Sequence, residues 1–358
     1  MEISDKFLVH SEEDLIGLSR VLKNKKLSGT SEIIDEYQYK LSNYFNSKYA
    51  LALSSGTAAI QVALFSLGIK RGDEVILAPT CPLMTVFPII EIGAIPIFCD
   101  TNTNDFGANI SSIDSKISKK TKAVIEVPMW GYPTPISSLS SYLKTKNIPL
   151  IADLAQAHGT KLNNKYLSEY ADIACFSTHD RKLLSTGEGG FVLTENEELY
   201  NKMNSYIQFG FMNGSQFGLN FKLSSLQASI GLTRIGFIGK QISERTQNAT
   251  YITDRINNQN VKEFPITENS NANYYSLLLH LSFSNNANVI KILNDKGIPS
   301  DIFRYNYQLV FYYDYLSDYI SECPNAHKIS KSITTIPVHS GLNKCQLDYI
   351  INELNKLK

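Results

Sequence analysis

The sequence predicts an α/β fold. Short apolar runs of strand length alternate with helix-length segments through its first two-thirds, and the intervals between runs are long enough for crossover connections. A length of 358 residues suits a large domain followed by a smaller one. Ala50-Leu51-Ala52-Leu53 reads as a buried strand, Gly56 as a turn, and Thr57 to Leu67 as a helix. Asp73 to Ala78 is a second strand, ended by Pro79, and Pro96 to Asp100 a third after a turn at Gly93. Lys122 to Val127 and Pro149 to Ala152 follow as strands, with a helix from about Ser137 to Lys146 between them. Ile173 to Phe176 and Gly190 to Leu193 flank a loop that holds Lys182. A helix is expected around Leu226 to Ile238. From about residue 241 the pattern changes to longer helices with a few strands, including Tyr275 to Leu281. The expected domains are therefore 1–240 and 241–358.

Charge narrows the possible partners. Lys plus Arg and Asp plus Glu each total 34, so no net charge draws the molecule to nucleic acid or to an anionic membrane, and any bound phosphate needs a local site. No run approaches the ~20 apolar residues of a membrane helix. The start, Met1-Glu2-Ile3-Ser4-Asp5, lacks the basic-then-apolar order of a secretion signal, so the cytoplasm is the expected location. The five cysteines are scattered without Cys-x-x-Cys spacing, which reads as reduced thiols and not as a disulfide framework or a metal site.

Three segments carry chemistry. In Ser177-Thr178-His179-Asp180-Arg181-Lys182, followed by Gly187, Gly189 and Gly190, a lysine sits beside an arginine in a loop between apolar strands. A lysine attacks an aldehyde only when partly neutral, and a neighbouring cation or desolvation lowers its pKa. A solvated surface lysine is the competing reading. In Ile151-Ala152-Asp153-Leu154-Ala155-Gln156-Ala157-His158-Gly159 a carboxylate directly follows a buried strand, so either it caps a following helix or it serves a buried cation such as a protonated pyridine nitrogen. In Ser54-Ser55-Gly56-Thr57-Ala58 a strand-to-helix turn offers free N–H groups, the positive end of a helix and a close backbone approach for an anion.

In this order and at these separations, the three segments resemble the DegT/DnrJ/StrS family of pyridoxal-phosphate (PLP)-dependent sugar aminotransferases. The resemblance extends over nearly the whole chain. It includes Leu27-Ser28-Gly29-Thr30, Gly72-Asp73-Glu74-Val75-Ile76, Gly218-Leu219-Asn220-Phe221-Lys222, Lys296-Gly297-Ile298-Pro299, Cys323-Pro324-Asn325-Ala326 and Ile336-Pro337-Val338. It implies PLP-dependent transferase fold type I: a large domain whose mostly parallel seven-stranded sheet is sandwiched by helices, plus a smaller α+β domain. It also implies Lys182 as the Schiff-base lysine that moves a proton between substrate and cofactor, and Asp153 as the partner of the pyridine nitrogen. Gln156 falls where the family contacts the ring hydroxyl oxygen, and Gly56, Thr57 and Ser177 where it contacts the phosphate. Asn220 falls where the family reaches across a homodimer to the neighbouring phosphate. Some members carry histidine at the lysine position and dehydrate instead, so Lys182 favours transamination.

Three departures stand out. Leu83 occupies the position of the aromatic residue that usually stacks on the cofactor ring, which forgoes a stacking gain of about 0.5–1.5 kcal/mol unless Met84 or Phe87 takes over. Pro128 stands where a histidine is frequent, followed by Trp130, which either walls the substrate site or packs the core. After Pro299, the stretch from Asp301 to Gln308 keeps only Tyr305 of a usual sugar-nucleotide pattern, with Tyr312 and Tyr313 following as base-stacking or packing residues. No catalytic role is assigned to His158 or His179. The function expected is transfer of an amino group from an amino acid, L-glutamate, to a nucleotide-linked keto-deoxyhexose. The alternatives are an aminotransferase for a ketone without a nucleotide, such as a keto-cyclitol, and a non-catalytic PLP-binding regulator.

Overall fold

Strands buried on both faces need apolar residues at odd and even positions alike, and the first strands of this chain have them. The computed structural model describes residues 1–7, 11–300 and 308–358. Strands β1 (Tyr49–Leu53), β2 (Glu74–Leu77), β3 (Ile95–Phe98), β4 (Thr121–Glu126), β5 (Leu150–Asp153), β8 (Ile173–Ser177) and β9 (Gly190–Thr194) form a seven-stranded sheet in the order β1-β9-β8-β5-β4-β2-β3. Only β9 runs antiparallel to its neighbours, so the sheet is mostly parallel, as the sequence predicts. Leu51, Leu53, Val75, Leu77, Ile125 and Ile151 point into one core layer. Ala50, Ala52, Ile76, Val124, Leu150 and Ala152 point into the other. Helices such as Gly56–Ser66 on one side and Ile136–Lys146 on the other supply the facing apolar stripes.

Two short strands, β6 (Lys161–Leu162) and β7 (Lys165–Tyr166), pair with β11 (Ser270–Asn271), and β10 (Val261–Glu263), β12 (Leu277–Leu281) and β13 (Ile333–Ile336) form a further antiparallel sheet. The helix expected around Leu226 begins at Ser225, passes through a single tighter turn at Ile235–Phe237 and continues as Ile238–Thr253. The expected strand from Tyr275 begins at Leu277, because the Tyr275 N–H donates to the Asn273 side chain and not to a neighbouring strand. The third strand stops at Phe98, short of the expected Asp100. The Asp100 carboxylate instead accepts from the backbone N–H groups of Asn325 (3.0 Å) and Ala326 (2.9 Å) and so caps helix Pro324–Ser332. No helix among the described residues is long and apolar enough to cross a membrane. All five cysteines are free thiols, four of them buried.

The carboxyl ends of β1, β5 and β8 open on one side of the sheet, where loops of a parallel sheet form its ligand crevice. Ser54-Ser55-Gly56, Asp153 and Ser177 leave the sheet there.

Candidate active site

The loop between β8 and β9 is pinned from several sides before it presents any side chain. Thr178 and Thr186 hydroxyls meet at 2.6 Å, and Thr178 N–H donates to Gly189 O at 2.8 Å. Gly189 adopts φ 148°, a backbone conformation for which glycine is needed. Gln241 donates to Leu183 O at 2.8 Å and Arg234 to Ser185 O at 3.0 Å, so helices of the following segment hold the loop's far side. Lys182 emerges from this loop half-buried, its Nζ 5.2 Å from the centre of the Tyr275 ring. The expectation that Arg181 depresses the lysine through its charge meets a different arrangement: Arg181 is paired with Asp5 at 3.1 Å, which compensates much of that charge. The Tyr275 ring faces the lysine ammonium instead.

Asp153 ends β5 and is nearly fully buried. No helix follows it, so the helix-cap alternative fails. Its Oδ1 accepts from the Ala155 N–H at 3.1 Å in a tight turn, and its Oδ2 accepts from the hydroxyl of fully buried Thr85 at 2.6 Å. Burial pushes the carboxyl above its usual range, opposed by the Thr85 and Ala155 hydrogen bonds and by the charge of Lys182. Asp153 forms no ion pair among the described residues, which leaves a buried carboxylate with room for a cation. His158 nearby is fully buried edge-on to Phe176 and Phe191, and burial with the adjacent Lys182 charge pulls its pKa down to about 3, so it is neutral.

The strand-to-helix turn presents backbone N–H groups to the crevice. Ser55 caps helix Gly56–Ser66 by accepting from the Ala58 N–H at 3.0 Å, and Ala59 N–H reaches Ser55 O, which leaves the Gly56 and Thr57 N–H groups of the first turn. A Cβ on Gly56 would lie 2.7 Å from Ser177 Cβ and 3.1 Å from Ser177 Cα, so the turn and the end of β8 approach as closely as only glycine permits. Gln156 is oriented by its neighbour: its Oε1 accepts from the Trp130 N–H at 2.6 Å, so its amide nitrogen remains as the donor.

These residues surround one cavity of about 550 Å³. Of the predicted site residues, Lys182, Asp153, Gly56, Thr57, Leu83, Gln156 and Ser177 line it, and Asn220 does not. Asn220 is exposed, its Oδ1 accepting from Lys222 Nζ at 2.7 Å. Leu83 and Met84 stand at the wall, whereas Phe87 turns outward to meet Tyr315 edge-on at 5.7 Å. Trp130 is both core and wall: it is buried against Phe106 and lines the cavity with Pro128 and Met129. Tyr313 also lines the cavity, Tyr312 instead faces His327, and Tyr305 with residues 301–307 lies outside the described residues. Sequence reasoning missed Thr85, whose only signal was its place two residues after Leu83, and Tyr275, which it read simply as a strand residue.

An amine, an anion cradle and a buried carboxylate around one cavity on this sheet define the class: a PLP-dependent aminotransferase of fold type I. The chain belongs to the DegT/DnrJ/EryC1/StrS aminotransferase family, whose model matches residues 9–355. It is 31% identical over 245 residues to GDP-perosamine synthase of Escherichia coli O157:H7, a match covering 67% of each chain. It is 28% identical over 311 residues to 3-oxo-glucose-6-phosphate:glutamate aminotransferase of Bacillus subtilis, covering 84% of this chain and 69% of the relative. Its fold matches that of Helicobacter pylori PseC, an aminotransferase involved in the biosynthesis of pseudoaminic acid, with a TM-score of 0.91 at 21% identity over 99% of both chains.

Proposed function

We propose that this protein transfers the amino group of L-glutamate to the keto group of a nucleotide-linked keto-deoxyhexose, in glycan or secondary-metabolite synthesis. The reading rests on the convergence of Lys182, Asp153, Gln156, Ser177 and the Gly56 helix start on one cavity. The acceptor class is taken from the perosamine synthase relative. The residues fit PLP on their own terms: the buried Asp153 carboxylate has no ion-pair partner among the described residues, the capped helix leaves two N–H groups, and Gly56 keeps the cradle open.

When bound, PLP supplies an aldehyde for amines and an electron sink for a carbanion. In this reading the Gly56 and Thr57 N–H groups and the Thr57 and Ser177 hydroxyls hold the phosphate. Asp153 keeps a proton on the ring nitrogen, and the Gln156 amide nitrogen donates to the ring hydroxyl oxygen. Leu83 covers the ring by dispersion alone. Lys182 would be the amine that holds the aldehyde group of PLP and, when free, the base that moves a proton between substrate and cofactor carbons. Its Nζ lies over Tyr275, an edge of the cavity that steadies the ammonium form between transfers.

Asn220 serves a second copy of the chain in this reading. It is exposed, it stands apart from its own cavity, and the exposed Phe209, Phe211, Met212 and Phe217 precede it, an apolar patch suited to a homodimer with shared sites. Residues 1–240 carry the cofactor end of the cavity, and 241–358 form the smaller domain that contributes Tyr275 and Tyr313. A cytoplasmic location accords with soluble glutamate and nucleotide sugars as substrates. A second reading, an acceptor without a nucleotide, is supported by the sugar-phosphate relative and by Leu83 and Pro128 at the wall.

The test is an absorbance spectrum of the PLP-loaded protein before and after L-glutamate, with Lys182→Ala in parallel. A visible band that shifts on adding glutamate in the wild type and is lost in the variant is expected. A colourless wild-type protein, or turnover in Lys182→Ala, would overturn the assignment. Screening nucleotide-linked keto-sugars against keto-sugar phosphates and keto-cyclitols then separates the two acceptor readings.

A further inference from the structure

One buried side chain outside the cavity ties together three of its walls. Asn273 is fully buried between β11 and β12. Its Nδ2 donates to Gln156 O and to His158 O, each at 2.9 Å, so both of its N–H bonds are spent on the loop that carries Asp153 and Gln156. Its Oδ1 accepts from the Tyr275 N–H at 2.8 Å, an Asx turn that breaks the strand and aims Tyr275 at Lys182. Its backbone N–H donates to Gly131 O at 3.2 Å, and a Cβ on Gly131 would lie 1.7 Å from Asn273 Oδ1. Asn273 thus occupies the space that glycine leaves behind Trp130, whose N–H holds Gln156 Oε1.

We infer that Asn273 is a positioning residue of this active site. It sets the Gln156 amide against one side of the cavity and the Tyr275 ring against Lys182 on the other, from a segment of the chain remote from both the lysine loop and β5. It does not line the cavity and touches none of the reacting atoms itself. No residue of similar size replaces it. Aspartate keeps the acceptor for Tyr275 but turns an oxygen toward two carbonyl oxygens. Leucine fills the space and satisfies none of the three partners. The inference rests on the roles proposed above for Gln156 and Lys182.

Asn273→Ser is the first test. Its hydroxyl can keep the turn to Tyr275 N–H and is too short to span the carbonyls of Gln156 and His158. The PLP-loaded wild type and variant are compared in three readouts: the pH at which the visible band titrates, the dissociation constant of PLP, and kcat against KM for glutamate. The expected result is a displaced titration of the band, a PLP dissociation constant raised about tenfold, and a fall in kcat larger than the rise in KM. A variant with wild-type band titration and wild-type kcat, altered only in Tm, would reduce Asn273 to a packing role and overturn the inference. A wild-type protein without the band would fail the proposed function itself, which keeps the two failures apart. Should Asn273→Ser not accumulate as folded protein, Asn273→Asp carries the same test with one added signature. Protonating its carboxyl restores a single O–H donor, so activity relative to the wild type must recover as pH falls, and a flat ratio across pH would overturn the inference.

Discussion

Replacing Thr85 by valine removes one hydroxyl and little else. Thr85 is fully buried in helix Leu83–Glu91, and its Oγ1 lies 2.6 Å from Asp153 Oδ2. Valine has nearly the same shape, so the loss is one hydrogen bond to a carboxylate, worth about 1.5–3 kcal/mol when that carboxylate is ionised and about 1 kcal/mol when it is neutral. The Ala155 N–H and the Lys182 charge remain as its other stabilisers. Burial already raises this carboxyl, and the variant raises it further by the difference between those two losses, about 0.5–2 kcal/mol, or roughly twofold to thirtyfold in its protonation equilibrium at about 1.4 kcal/mol per factor of ten. A carboxyl raised on folding contributes stability that is present below its unfolded pKa and lost as pH rises through its folded pKa. The deficit of Thr85→Val must therefore be small in acid, where both proteins hold Asp153 protonated, and full on the alkaline side. Urea unfolding of the PLP-free proteins across pH reads this directly, and an absorbance titration reads PLP affinity. The expected outcome is a deficit that grows with pH to about 1.5–3 kcal/mol, with weaker PLP binding because Asp153 holds its own proton more tightly. A deficit that stays constant with pH, with unchanged PLP affinity, would show that the hydroxyl does not govern the carboxylate.

Two further substitutions test neighbouring parts of the site. Gly56→Ala places a methyl 2.7 Å from Ser177 Cβ, an overlap of backbone-bound atoms that costs about 1–3 kcal/mol, and PLP affinity should fall at least about tenfold; an unchanged dissociation constant would mean that the phosphate does not use this turn. His158, held neutral with a pKa of about 3 against 6.5 when unfolded, takes up its proton only on unfolding, so stability falls as pH drops through that window by up to about 1.4 kcal/mol per pH unit; His158→Leu should flatten the slope in acid unfolding curves, and an unaltered slope would place the acid sensitivity elsewhere.

Local pattern carried the sheet because its strands are buried on both faces. Runs such as Ala50 to Leu53 and Lys122 to Val127 show strand-length apolarity without needing a partner to be known, and glycines and prolines punctuate them. Strand ends were read less well wherever a side chain from a distant segment competed for the backbone. Asp100 turns to the helix at Pro324, and Asn273 takes the Tyr275 N–H. Among the proposed site residues, those at strand ends stood out because the local pattern marks the place where the chain leaves the sheet: Gly56 and Thr57 open a helix after β1, and Asp153 ends β5. The partner of Arg181 was not legible because Asp5 lies 176 residues away in sequence.

By itself the sequence determined the α/β class and the family resemblance and singled out Lys182, Asp153 and Gln156 as candidates, since each rests on residues close together in the chain. Only the tertiary structure decided what surrounds them: Thr85 against Asp153, Tyr275 beneath Lys182, and Asn273 bracing the Gln156 loop. These partners are 68, 93 and 117 residues apart from the groups they serve, and their geometry depends on crossovers that bring separate strand ends to one edge of the sheet. Hydrogen bonds and desolvation act over a few ångströms of space, whereas a sequence pattern reports only neighbours along the chain.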